Sequence, residues 1–191
     1  LHVSTARGIE MIRQAKAAGI NVTAEVMPHH LVMTDEWVAG DRTLNNTNEP
    51  PGAPGTPGDP NTKVNPPLRT RDDCRAIVEA LADGTIDALA TDHAPHHRDE
   101  KNVEYAIAAS GFTGFETAFS LAVTYLTDDT EALARLFSAN PARIIGRPGG
   151  VIEAGAPADI TITDMTQEYV LREEDMISKG KNTPFIGQKL R

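Results

Sequence analysis

Twice within its first hundred residues the chain repeats one order of patterns: an amphipathic helical stretch, a glycine, a short apolar strand, then a polar turn carrying histidines. In the first copy Ser4 or Thr5 can cap a helix whose apolar positions are Ile9, Ile12 and Ala15 and which stops at Gly19. Ile20 to Met27 then alternates Val22, Ala24 and Val26 with polar residues, the period of a strand, and Pro28 closes it before His29-His30. In the second copy Thr70 and Asp73 form a capping box, and Cys74, Ile77, Val78 and Leu81 fall on one helical face that ends at Gly84. The run Thr85 to Thr91 suits a buried parallel strand and delivers Asp92, His93 and His96 at its far end. Strands alternating with helices predict right-handed βα units in a parallel sheet or barrel, an α/β fold.

The remaining sequence divides by texture. Asn48 to Pro60 is dense in proline and glycine, lacks donors for a ladder or helix, and predicts a surface loop over 48–62. Helical patterns follow over Glu116 to Leu126 and Thr130 to Ser138, and Asn140-Pro141 is expected to break the second. From 148 onward Val151-Ile152, Ala158 to Thr163 and Tyr169 to Leu171 are short β-like pieces between turns. The expected division is therefore 1–147 for the βα part and 148–191 for a β-rich segment.

Composition narrows the function classes. With 27 Asp and Glu against 18 Lys and Arg, a net charge of -9 and no basic stripe, nucleic acid and anionic membranes are excluded as main partners. One cysteine excludes a disulfide framework and a Cys-rich zinc site, and no apolar run is long enough for a membrane span. Cytoplasm is the expected compartment.

Five of the six histidines, His29, His30, His93, His96 and His97, follow strands, and His2 can itself end a strand that precedes a helix cap. Neutral imidazole suits zinc and related metals; a carboxylate beside it can hold the ion or accept a proton. In a (β/α)8 barrel the site forms at the C-terminal strand ends, so His2, His29-His30 and Asp92-His93 would meet there. A single histidine at such a position is more often a hydrogen-bonded loop residue; three successive strand ends reverse that weighting. Asn65 supplies a donor and an acceptor and Arg69 a fork suited to a carboxylate, though Asn65-Pro66-Pro67-Leu68-Arg69 also reads as a rigid extended loop.

HVST at His2 to Thr5, AEVMPHHL at Ala24 to Leu31, KVNPPLR at Lys63 to Arg69 and ATDHAPH at Ala90 to His96 together resemble the class I dihydroorotases of the cyclic amidohydrolase superfamily. GFETA at Gly114 to Ala118, NPARIIG at Asn140 to Gly146, GAPADITITD at Gly155 to Asp164 and NTPFIG at Asn182 to Gly187 continue the resemblance in order. It implies the C-terminal part of a TIM barrel, about strands six to eight, plus part of a small β-rich flanking domain. The implied activity is interconversion of N-carbamoyl-L-aspartate and L-dihydroorotate in pyrimidine synthesis, with two Zn2+ ions per site. Allantoinases and hydantoinases share the layout and stand as alternatives, and a metal-free scaffold for a carbamoyltransferase is the alternative of another class. A βα binding module complete as it stands is disfavoured, because it would leave a long open sheet edge.

Position by position, the resemblance implies His2 and Asp92 as metal ligands, Asp92 also as the general base, and Asn65, His96 and Gly111 as substrate contacts. His29 and His30 match no ligand position of that family, so they become supporting residues with Arg69 and His93, which corrects the reading from strand ends alone. The family's first-strand His-x-His, its bridging residue and its fifth-strand histidine have no counterpart. With the start at Leu1 and the end at Arg191, this leads to the expectation of an internal fragment, inactive alone. The expected partner is a small-molecule substrate, with self-association or association with aspartate carbamoyltransferase left open.

Overall fold

The structure, a computed structural model, describes residues 1–44 and 55–191. Helix α1, Ala6–Ala17, is capped by the Thr5 hydroxyl, which accepts from the Gly8 amide, and the chain leaves it through Gly19 at φ 76°. Strand β1 is Glu25–Val26. Helix α2, Arg71–Ala82, opens on the capping box between Thr70 and Asp73 and exits through Gly84 at φ 80°; strand β2 is Ala88–Leu89. Strands β1 and β2 pair in parallel, Glu25 opposite Ala88 and Val26 opposite Leu89. On the other side of β1 the Val3 amide donates to the Glu25 oxygen at 3.0 Å, so the chain start lies alongside as a third extended segment.

Both strands are shorter than the alternation of residues predicts. Ile20 is 60% exposed, and the ladder covers only the residues that face a partner segment, with Asp87 N–H donating to Ala24 O and Ala90 N–H to Val26 O. Alternation marks residues able to pair; pairing needs a partner at the right height.

Helix α3 is Arg98–Lys101, and α4 is Phe115–Tyr125. Helix α5, Thr130–Ala134, runs through one π-helical turn, Arg135–Ala139, into α6, Asn140–Ile145. Asn140-Pro141 therefore lies within a continuous helical run and does not break it, a correction with a local cause: the proline, which has no N–H to donate, directly follows the π-helical turn, where the backbone hydrogen-bond pattern is already shifted. The Asn140 side chain meanwhile donates to the Asp87 oxygen at 2.7 Å beside β2.

Strands β3, Tyr169–Val170, and β4, Lys189–Leu190, pair antiparallel. Val151-Ile152 and Ala158 to Thr163, expected as β-like pieces, form no strand, and Ile152 and Ile162 are more than nine-tenths exposed. Their pattern is met by no neighbouring strand among the described residues. Of the proline-rich stretch expected as a loop over 48–62, 48–54 lies outside the described residues, while Pro60–Thr62 forms a 3-10 turn that buries Thr62.

One apolar core ties these pieces together. Val26, Leu31, Ile77, Leu81, Leu89 and Leu121 share it with Leu171, Phe185 and Leu190 from the C-terminal segment. Trp37 sits fully buried against Phe185, with ring centroids 5.8 Å apart, and its indole N–H donates to the Thr43 oxygen at 2.9 Å. No helix among the described residues is long and apolar enough to cross a membrane.

Candidate active site

The ends of the Val3 segment, β1 and β2 bring His2, Glu25 and Asp92 together. Glu25 accepts from the His2 main-chain N–H, and its carboxylate lies 3.0 Å from His2 Nδ1. A carboxylate beside Nδ1 is the arrangement that orients an imidazole to bind a metal through Nε2. That Nε2 stands 3.6 Å from Asp92 Oδ1. His2 and Asp92 are the two non-glycine residues at positive φ among the described residues, 54° and 47°. A left-handed backbone costs energy for such residues and is typical of sites where a side chain must be aimed. Glu25 is the residue that the sequence reading missed; inside AEVMPHHL it looked like one polar position of an alternating strand.

The two residues suit a divalent ion in their chemistry, an imidazole and a carboxylate, but two donors are fewer than the three or four protein ligands a zinc site uses. Among the described residues no group of three or more His, Cys, Asp and Glu side chains is arranged to hold a metal. His2 and Asp92 therefore fit as part of such a site, not as the whole of one.

His29 and His30 lie beneath, buried in the 3-10 turn Pro28–Leu31. The His29 ring packs on Phe112 and His30, and its Nε2 has no partner, nor has His30 Nδ1; His30 Nε2 is 3.2 Å from the Pro67 oxygen. Burial holds the His29 pKa well below the ordinary range. For His30 burial likewise dominates, over the opposing bond to Pro67, and lowers the value to about 4. Both rings are neutral in the folded protein, whereas the unfolded chain takes up protons below about pH 6.5. The stability they contribute is complete above that pH and is lost as the pH falls toward 4, by roughly 3 kcal/mol for His30 alone. Urea unfolding from pH 7.5 down to 5 should show a falling midpoint, and His30→Gln should flatten that fall. A level wild-type midpoint would contradict it.

His93 is clamped. Its Nδ1 accepts from the Gly114 and Phe115 amides at 3.2 and 3.3 Å, and its ring stacks on Phe115 at 3.9 Å and 2°. This joins the Asp92 turn to the start of α4. A Cβ on Gly114 would stand 3.0 Å from the Thr91 oxygen, so glycine permits the close approach.

His96 and Gly111 form a second group. His96 Nε2 lies 3.0 Å from the Ser110 oxygen and 3.4 Å from where a Gly111 Cβ would be. Asn182, also missed as a site residue within NTPFIG, accepts from the His96 amide at 3.0 Å and donates to the Ala94 and Gly111 oxygens, each at 3.3 Å. A cleft of about 1040 Å3 opens here, lined among others by His96, Lys101 and Asn182. Asn65 is exposed, and Arg69 is half-buried with Nε donating to Ser4 Oγ at 3.2 Å, so that nitrogen is turned toward the start of α1. The Asn65 segment is held by the parallel bridge between Thr34 and Arg69.

The pattern of the amidohydrolase family matches residues 2–189, nearly the whole chain. The chain belongs to the amidohydrolase family. Among its amidohydrolase relatives, the dihydroorotase of Acetivibrio thermocellus is 47% identical over 193 residues, which cover 99% of this chain and 41% of the relative. The dihydroorotase of Caldanaerobacter subterraneus subsp. tengcongensis is 48% identical over 194 residues, 100% of this chain and 41% of the relative. The chain thus spans about two fifths of the length of the curated relatives it matches. Among solved amidohydrolases, L-hydantoinase (dihydropyrimidinase) from Arthrobacter aurescens superimposes with a TM-score of 0.81 at 26% identity, covering 99% of this chain and 40% of that one. D-hydantoinase from Thermus sp. superimposes with a TM-score of 0.80 at 20% identity, with the same coverage, a likeness of fold.

Proposed function

We propose that the protein is a metal-dependent dihydroorotase that interconverts N-carbamoyl-L-aspartate and L-dihydroorotate. The observation that carries this reading is the 47% identity to a dihydroorotase across 99% of the chain, which takes in every motif around the site. In this reading residues 1–147 are the strand-six-to-eight part of a (β/α)8 barrel, and 148–191 belong to a β-rich flanking domain. The remaining metal ligands belong to barrel strands outside this sequence.

The chain's own residues then take the following parts. His2, with Glu25 beside Nδ1, offers Nε2 to the ion, and Asp92 offers a carboxylate oxygen. A bound divalent ion, zinc in this reading, supplies Lewis-acid activation of the cyclic amide. Asp92 accepts a proton from the attacking water as the C–O bond forms and passes it to the ring nitrogen as the C–N bond breaks, and the same transfers run in reverse when the ring closes. Asn65, His96 and the main chain at Gly111 hold the ring and its carboxylate. His93, pinned by two amides, keeps the Asp92 turn against α4, and Arg69, His29 and His30 support the site from behind.

The test uses the full-length protein as encoded, assayed with dihydroorotate, allantoin and a 5-substituted hydantoin, with metal content measured alongside. Turnover confined to dihydroorotate supports the reading; preference for a hydantoin transfers it to the hydantoinase branch, to which the structural neighbours belong. A metal-free protein inert toward all three is a scaffold subunit. His2→Ala is expected to lower bound metal by about one ion and turnover by more than a hundredfold, since even an outer partner of a ligand is worth about 10–100-fold. Retention of full metal content would remove His2 from the ligand set.

A further inference from the structure

We infer that Lys101 is a positioning residue, whose ammonium joins the segments that carry Asn65, His96 and Gly111 into one substrate-binding wall. The inference rests on the assignment of those three residues as substrate contacts.

Lys101 is 1% exposed, yet it is a lysine. Its Nζ donates to the main-chain oxygen of Ala109 at 2.8 Å and to that of Lys63 at 3.3 Å, and among the described residues no carboxylate forms an ion pair with it. An ammonium offers three donors and no acceptor, which suits a place where carbonyl oxygens converge from separate segments. Lys63 lies two residues before Asn65, and Ala109 two before Gly111. The Lys63 oxygen also accepts from the Gly111 amide at 2.8 Å, so the two segments are bound directly and through the lysine at the same point. Lys101 itself closes the short helix α3, and its own amide donates to the His97 oxygen at 3.2 Å, one residue after His96. Glu100 O accepts from the Ala109 amide at 3.1 Å, which brings the same helix to the Gly111 segment a second time.

Burial lowers the Lys101 pKa to about 8, with the Asp59 carboxylate opposing the shift and Lys63 adding to it. At neutral pH the group therefore remains an ammonium. An unpaired charge inside a protein is costly and is held only where surrounding dipoles compensate it, and here those dipoles belong to the segments of the proposed substrate contacts.

The experiment compares Lys101→Met and Asn65→Ala in the full-length protein, by steady-state kinetics with dihydroorotate, circular dichroism and metal content. Lys101→Met keeps the apolar stem and deletes the donors. The expected result is a KM raised about tenfold to a hundredfold, as misplacement of binding groups by around 1 Å costs, with kcat within about threefold and metal content unchanged. Lys101→Gln, which retains one amide donor, should fall between. A folded Lys101→Met with wild-type KM, beside Asn65→Ala with a raised KM, overturns the inference and leaves the substrate assignment standing. Wild-type KM in both overturns the assignment and the inference with it. Failure of both Lys101 variants to fold makes Lys101 a folding residue and overturns the inference.

Discussion

Asp92→Asn in the full-length protein is expected to lower kcat for dihydroorotate by about 10²–10⁴-fold, the range for loss of a general base. The folded structure should survive. Asp92 sits at φ 47°, a backbone region in which asparagine is, after glycine, among the best tolerated residues. Asparagine is thus a cleaner replacement than alanine, which would add backbone strain to the loss of the carboxylate. The clamp of His93 on the Gly114 and Phe115 amides does not involve the Asp92 side chain and should keep the turn in place. What the substitution removes is a proton acceptor and an anionic oxygen 3.6 Å from His2 Nε2. Metal content and the unfolding midpoint, measured beside kcat, separate ligation from proton transfer: kcat lost with metal retained assigns Asp92 to the proton. A variant that keeps a third or more of wild-type kcat would take Asp92 out of the chemistry.

Gly111→Ala should be the most disruptive single methyl group near the site. Gly111 has φ 114°, and its added Cβ would stand 2.6 Å from the Ala94 Cβ, closer than any real contact. Neither side can move away freely. The Gly111 amide is bonded to Lys63 O and its oxygen to Asn182, while the Ala94 amide donates to Phe112 O at 3.0 Å and the Ala94 oxygen accepts from the same Asn182. Strain and overpacking together should cost roughly 2–4 kcal/mol and displace the His96 ring, with a raised KM for dihydroorotate. Gly84→Ala is the control. Its φ is 80° with nothing within 4 Å of the added carbon, so it bears the backbone strain alone, about 1–2 kcal/mol. Urea unfolding of the two variants reads the difference directly, and equal losses would show that the Ala94 contact relaxes without cost.

The parts of this fold that were legible in the sequence are those with local causes. The Thr5 cap, the Thr70 and Asp73 box, and the exits at Gly19 and Gly84 depend on residues within a few positions of one another, and each stands as the sequence predicts. The strands were legible in place and not in length, because a ladder is a property of two segments. Asn140-Pro141 was misread for a related reason: whether proline ends a helix depends on the hydrogen-bond pattern around it, and here it directly follows a π-helical turn and the helical run continues through it.

For the candidate site the division is similar. The ordered motifs singled out the candidate residues, and of these the structure brings His2 and Asp92 within 3.6 Å of each other although ninety positions separate them. Glu25, Asn182 and Lys101 were not singled out, since a polar residue in a strand, an asparagine in a loop and a lysine in a charged run have no signature until their partners arrive from elsewhere in the chain. By itself the sequence determined the caps and glycine exits of α1 and α2, the order of helix and strand in the two βα units and the kinds of side chain available, all consequences of spacing and of the backbone preferences of glycine and capping residues. Which carboxylate faces each nitrogen of His2, how tightly Gly111 meets Ala94 and why a lysine is buried at 101 were decided by the tertiary structure alone. Each depends on where a carbonyl, a carboxylate or a methyl group from a distant segment comes to rest.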